Sequence, residues 1–95
     1  MTAYVIARVD VTDPDQYEQY KKLTPAAVGA SGGRFIVRGG ATETLEGAEE
    51  TRRIVMIEFP DMDAARAFYD SPAYREARAV RAGAADMHML AVEGA

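Results

Sequence analysis

The stretch from Arg52 to Arg81, RRIVMIEFPDMDAARAFYDSPAYREARAVR, constrains the fold more tightly than any other part of the chain. Ile54 to Phe59 is apolar at every position except Glu58. That pattern suits a strand covered on both faces better than one with a wet side. After Pro60, the Asp61 carboxylate can accept from the free amides of a helix start, and Asp63 sits in the first turn, where an acid is favoured. Ser71 followed by Pro72 repeats the start signal, because proline at the first helical position gives up an amide that would have no partner anyway. The spacing predicts two helical pieces with a break near Asp70. Met62, Ala65, Phe68 and Tyr69 share a face of the first piece, and Ala73, Ala77, Val80 and Ala84 share a face of the second.

Upstream, Tyr4 to Val11 alternates as a strand does, with Val5, Ala7, Val9 and Val11 on one side and Tyr4, Ile6, Arg8 and Asp10 on the other. Asp13, Pro14 and Gln16 supply a cap, a first-turn proline and a capping-box partner for a helix. Tyr17, Tyr20, Leu23, Ala27 and Val28 follow at helical spacing. Pro25 lacks the donor an unbroken helix uses, so a kink or restart is expected there with Thr24 as a second cap, before Gly29, Gly32 and Gly33 end the element. Arg34 to Arg38 reads as a second strand and Gly39 to Thr51 as a polar, acidic hairpin loop or lid. Met87 to Val92 makes the last strand.

The order is therefore βαββαβ in one domain spanning residues 1–95. Right-handed crossovers put both helical segments on one face of a four-stranded antiparallel sheet, the α+β, ferredoxin-like arrangement. If the valine-rich side of each strand meets the helices, the other side carries Tyr4, Ile6, Ile36, Ile54, Met56, Met87 and Met89. Arg8, Arg34, Arg38, Glu58 and Glu93 share it. So large an apolar patch exceeds what a soluble monomer shows, which predicts a homodimer through the sheet faces, a dimeric α+β barrel. Buried charges are costly unless paired or solvated, so Arg8, Arg34, Arg38 and Glu58 are expected to line a partly wet cavity on that face.

The totals narrow the function classes. Fifteen acidic residues against eleven basic ones give a net charge of −4 with no basic block, which argues against a nucleic-acid partner. No apolar run approaches the ~18 residues of a membrane span, and Arg8 and Asp10 interrupt the start of the chain, unlike a signal peptide. The absence of cysteine removes disulfides and thiolate chemistry and fits a cytoplasmic home.

The phrases YVIARVDVTDPDQYEQY, GGRFIVRGG, LEG, VMIEFPDMDAARAFYDSPAY and VEG, in order over nearly the whole chain, resemble the bacterial family called domain of unknown function 1330. The resemblance implies the dimeric α+β-barrel superfamily, whose branches include cofactor-free monooxygenases, muconolactone-isomerase-like enzymes, haem-dependent enzymes and stress-responsive proteins. It implies no reaction for this branch and carries over no catalytic residue. Arg38, Glu46, Gly47, Glu58, Ser71 and Tyr74 occupy its motif positions. Family members often have tryptophan at the position of Phe68 and another after the LEG phrase; this chain has none, so its pocket outline should differ.

Among chemical candidates, the guanidinium forks of Arg8, Arg34 and Arg38 suit carboxylates or enolates, and Glu58 could move a proton; a pairing that only neutralises the dimer face is the simpler role. His88, the sole histidine, could act as a general base, although alternation turns it toward the helices. The same parity argues against His88 as an axial haem ligand. With no second histidine and no cysteine, no metal site and no cofactor are expected. Tyr74, with Arg78 and Arg81 on the same helix flank, could edge a cleft. Ser71 reads as a cap, and the glycines match no phosphate-binding loop. Two functional readings follow: a dimer binding a small organic, anionic or aromatic molecule, with cofactor-free isomerase or monooxygenase chemistry; or a non-catalytic, stress-related or structural dimer.

Overall fold

The structure, a computed structural model, describes residues 1–95. Its elements are β1 (Ala3–Val11), α1 (Pro14–Ala30), β2 (Arg34–Arg38), β3 (Arg53–Phe59), α2 (Met62–Asp70), α3 (Pro72–Arg81) and β4 (Ala85–Glu93). All neighbouring strands are antiparallel, in the order β2-β3-β1-β4. This is the ferredoxin-like α+β arrangement, and the slab is only 16 Å through its thinnest axis, one sheet with one layer of helices.

The helix boundaries follow from side-chain chemistry. The Asp13 carboxylate accepts from Gln16 N at 3.2 Å and that of Asp61 from Ala64 N at 2.8 Å. Ser71 serves both pieces of the second segment: its hydroxyl donates to Phe68 O at 2.7 Å and accepts from Tyr74 N at 3.1 Å, and its extended backbone forces the break after Asp70. Gln16 does not complete a capping box. Its side-chain amide donates to Val80 O and Ala82 O, both at 2.8 Å, tying the start of α1 to the end of α3.

Helix α1 runs through Pro25 without a restart, so Thr24 is no second cap. Proline at that position leaves the Lys21 carbonyl without its usual partner. Two side chains take up the orphaned oxygen, Thr24 Oγ1 at 3.2 Å and Arg38 Nη2 at 2.9 Å.

One core fills the space between helices and sheet. Val5, Ala7 and Val9 of β1 and Val55, Ile57 and Phe59 of β3 meet Tyr17, Tyr20, Ala27 and Val28 of α1, Ala65 and Phe68 of α2, and Tyr74 and Ala77 of α3. Phe68 lies at the centre, with ring centroids 4.3 Å from Tyr74 and 5.2 Å from Phe59. Each such aromatic contributes on the order of 1.5–3 kcal/mol through burial. The alternation expected of β1 is observed, since Tyr4 and Ile6 are half-buried and Arg8 and Asp10 exposed on the face the helices leave open.

Two strands depart from simple alternation. In β2 the pairing steps from Phe35 opposite Ile57 to Val37 opposite Met56, so Ile36 is an inserted, bulged residue. A bulge reverses the facing of everything beyond it. Val37 joins Met56 on the open face, and Arg38, beside Val55, turns to the helices, which corrects its expected place on the open face. In β4, Ala7 pairs with Met89 and Val9 with Met87, whereas Arg8 pairs with His88, Ile6 with Leu90 and Tyr4 with Val92. Met87, Met89 and Glu93 therefore leave the open face and His88 enters it, the reverse of the sequence reading. The Ala84 carbonyl sets this register by accepting from Thr12 N at 2.8 Å and Asp13 N at 3.0 Å. Unbranched methionines then fill the uneven gap beneath the helices.

Candidate functional site

The open face is built in rows across the strands. Val37, Met56, Ile6 and Leu90 form an apolar middle row. One end has Arg34, Glu58, Tyr4 and Val92; the other has Ile54, Arg8 and His88, then Asp10 and Asp86. Arg34 and Glu58 form an ion pair at 3.4 Å, and Arg8 pairs with Glu50 of the β2–β3 loop at 3.5 Å. The structure thus brings Arg34 and Glu58 together at one end and Arg8 and His88 side by side at the other. No cavity opens on this face of the single chain; its concave surfaces lie on the helix side and in the acidic loop. No three of the histidine, aspartate and glutamate side chains gather as metal ligands, and no helix is long and apolar enough to cross a membrane.

Arg38 and Tyr74 belong to the helix side. Tyr74 is fully buried, so it does not edge an open cleft; its hydroxyl lies 2.7 Å from that of Tyr20. Burial, then the neighbouring Tyr74, pushes the Tyr20 phenol far above its ordinary range. Burial raises Tyr74 as well, opposed by the bond to Tyr20, and raises Tyr17, opposed by the charge of Arg53. Guanidiniums accompany these rings: Arg81 lies 5.2 Å from the Tyr20 centroid and Arg53 6.0 Å from that of Tyr17. Cations over aromatic faces are favourable, more so where water is partly excluded. Arg53 and Arg81 were invisible as partners of the tyrosines in the sequence, because their neighbours come from α1, distant in the chain.

The largest concave feature is a groove of ≈ 500 Å³ where α2 and the start of its break meet the outer strand β4. Phe68, Tyr69, Met87 and Met89 supply most of its apolar wall, and Arg66 and Arg81 its cationic groups. Asp70 and His88 also line it. The Ser71 break positions Tyr69, which stays 41 % exposed with the Arg78 guanidinium 4.2 Å above its ring. A feature of this size and composition is what holds a small organic molecule: apolar walls for area, a few charges for orientation. Of the chemical candidates singled out in the sequence, Arg81 and His88 reach the groove, His88 from the far side of β4.

A model of the family described as "Domain of unknown function (DUF1330)" matches residues 2–95. No curated protein matches the chain. Among solved structures, a protein of unknown function from Rhodopseudomonas palustris is similar at a TM-score of 0.76 and 20% identity, over 99% of this chain and 82% of that one. A dimeric ferredoxin-like protein of unknown function from Jannaschia sp. CCS1 has a TM-score of 0.74 at 14% identity, over 99% and 100%. SnoaB, a cofactor-independent oxygenase from Streptomyces nogalater, has a TM-score of 0.71 at 15% identity, over 99% and 93%. At these identities the likeness is one of fold.

Proposed function

The chain belongs to that family of unknown function, and from the site itself we propose that it works as a homodimer binding a small, flat organic molecule in the groove between α2 and β4. The groove carries the reading: ≈ 500 Å³, walled by Phe68, Tyr69, Met87 and Met89, falls in the ordinary range for small-molecule sites. An aromatic ligand fits it best, since Tyr69 and Phe68 offer ring faces and Arg66 and Arg81 favour electron-rich or anionic substituents. Self-association is supported by the apolar row of Ile6, Met56, Leu90 and Val37 on the open face and by the dimeric description of similar structures.

A screen of aromatic acids and phenols by thermal shift, repeated on Ala91→Trp, tests the site. Ala91 is exposed and lines the groove, so a tryptophan there fills it without entering the core. Hits that stabilise the wild type and not the variant support the reading; hits equally strong in both place the ligand elsewhere. Sedimentation velocity at micromolar concentration tests the dimer.

Cofactor-free oxygenase chemistry is a second reading, favoured by the Asp70 carboxylate in the groove lining and by the fold likeness to a cofactor-independent oxygenase, because such chemistry starts by taking a proton from an acidic substrate. Oxygen uptake with an electron-rich phenol measures it directly, and hits without uptake leave a binding role. A dimer with no ligand, its charges merely paired as in Arg34–Glu58 and Arg8–Glu50, is what an empty screen would support.

A further inference from the structure

The helix–sheet interface has a second opening, between α1 and the β2–β3 side of the sheet, with a chemistry unlike that of the groove. It is a narrow cleft of ≈ 20 Å³ whose charged and hydroxyl groups toward α1 and β2 come from Tyr17, Lys21, Thr24, Arg38 and Arg53, with the paired hydroxyls of Tyr20 and Tyr74 also in its lining. Phe68, Met87 and Met89 line both spaces and separate them.

Two of the three cations here, Arg38 and Arg53, have no counterion. The four ion pairs of the protein engage Arg8, Lys21, Arg34 and Arg66, and none engages Arg38 or Arg53. The one carboxylate at this edge, Glu18, is held by Lys21 at 2.9 Å on the surface. Arg38 commits one amino group to Lys21 O and Thr24 Oγ1 and lays its guanidinium 4.4 Å from the Phe35 ring centroid, which leaves donors free. The Arg53 Nε is shut off from solvent with no hydrogen-bond partner at all. Shielded donors of this kind are costly to leave unmade. The backbone also makes room for the head group: at Gly39, whose φ is 72°, the Arg53 guanidinium occupies the space a side chain would need. In a chain with fifteen acidic residues and a net charge of −4, two guanidiniums lining one cleft without a carboxylate call for an anion from outside.

The geometry points to a carboxylate-binding site formed by Arg38, Arg53 and Lys21, with Tyr17 in its lining, that takes the acid head of a small organic acid. Guanidinium forks match a planar carboxylate with paired hydrogen bonds. The ≈ 20 Å³ of space, against roughly 10–15 Å³ for one water, receives the carboxylate oxygens and leaves the rest of the acid outside. The rest of the ligand extends outward past the half-exposed Phe35 ring.

Amide chemical shifts of the labelled protein, followed during titration with sodium benzoate, neutral benzamide and inorganic phosphate in separate series, test the site. Benzoate should give saturable shifts at Tyr17, Thr24, Gly39 and Arg53, and benzamide should not. Arg53→Gln should weaken benzoate about tenfold or more, and Lys21→Met about threefold. Ala91→Trp should leave the benzoate shifts at Tyr17, Thr24, Gly39 and Arg53 unchanged, which separates this site from the groove. Non-saturating shifts, an equal response to benzamide, or benzoate binding indifferent to both substitutions would overturn the assignment. Saturation by phosphate without benzoate would overturn the carboxylate class. If the Arg53→Gln spectrum shows an unfolded chain, Lys21→Met decides.

Discussion

The two faces of this sheet use arginine in opposite ways. On the covered face, Arg38, Arg53 and Arg81 lie against Phe35, Tyr17 and Tyr20 and answer to no carboxylate. On the open face, Arg8 and Arg34 answer to Glu50 and Glu58 and leave the apolar middle row between them. Strand β4 shows the contrast within one element, with Met87 and Met89 under the helices and His88 and Leu90 on the far side. The difference separates two functions of packing. The covered face specifies the fold of one chain, so changes there should act at any protein concentration; in the proposed homodimer the open face meets a second copy, so changes there should act through concentration.

The strongest test of that division is Tyr74→Ala. Removing a fully buried ring that touches Phe68, Tyr20 and Tyr69 should cost about 3–5 kcal/mol in urea unfolding, independent of concentration. Next is Met56→Asp in the apolar middle row of the open face. An unpaired carboxylate in an apolar contact should convert the proposed dimer to a folded monomer by sedimentation, a loss of association of about 3 kcal/mol or more. A dimer that survives the aspartate would show that the open face is not the contact.

The architecture was legible in the sequence because the signals that set it are local. Caps at Asp13, Asp61 and Ser71, the proline after Ser71, alternation in β1 and the apolar run of β3 all act within a few residues. The candidate site was far less legible, for a physical reason that the same strands illustrate. Facing in a strand has a period of two, so one bulged residue at Ile36 sends Arg38 to the other side, and the register set at Ala84 does the same to His88 and Met87. Neither the bulge nor the Ala84 bonds leave a mark on composition. The role of Arg38 on the Lys21 carbonyl depends on Pro25, which the sequence does show, but the pairing joins α1 to β2 and becomes visible only once the sheet is assembled.

Adjacent substitutions in β4 turn that lesson into a measurement. Met87→Ser should cost about 2 kcal/mol, because it leaves a gap beside Val9 and Arg81. His88→Ser, one residue on and exposed, should stay within about 0.5 kcal/mol for the monomer. Equal costs would mean that Met87 and His88 do not face opposite sides of the sheet.

Alkali should find the covered face next. Tyr17, Tyr20 and Tyr74 have phenols raised above the ordinary 10.0, chiefly by burial. Below pH 10 both the folded and unfolded states hold these protons, and the stabilisation is fully present. Above it the unfolded chain releases them first, so stability falls as pH rises toward the folded values, by up to about 1.4 kcal/mol per pH unit for each group. Urea midpoints from pH 9 to 11 should drop steeply in the wild type and less steeply in Tyr20→Phe, which has one such phenol fewer. An unchanged slope would mean that Tyr20 is not shielded as its 2.7 Å contact with Tyr74 implies.

The smallest effect belongs to Arg34→Ala, and its smallness is the point. The Arg34–Glu58 contact is 3.4 Å long, with the arginine side chain 73% exposed, so water and salt screen it and the cost to a monomer should be under about 1 kcal/mol. Measured on the Met56→Asp background, where association is removed, the substitution reads the pair alone. A cost well above 1 kcal/mol there would mean that Glu58 depends on Arg34 within a single chain. The open face would then stabilise the fold of one subunit as the covered face does, and the division between the faces would fail.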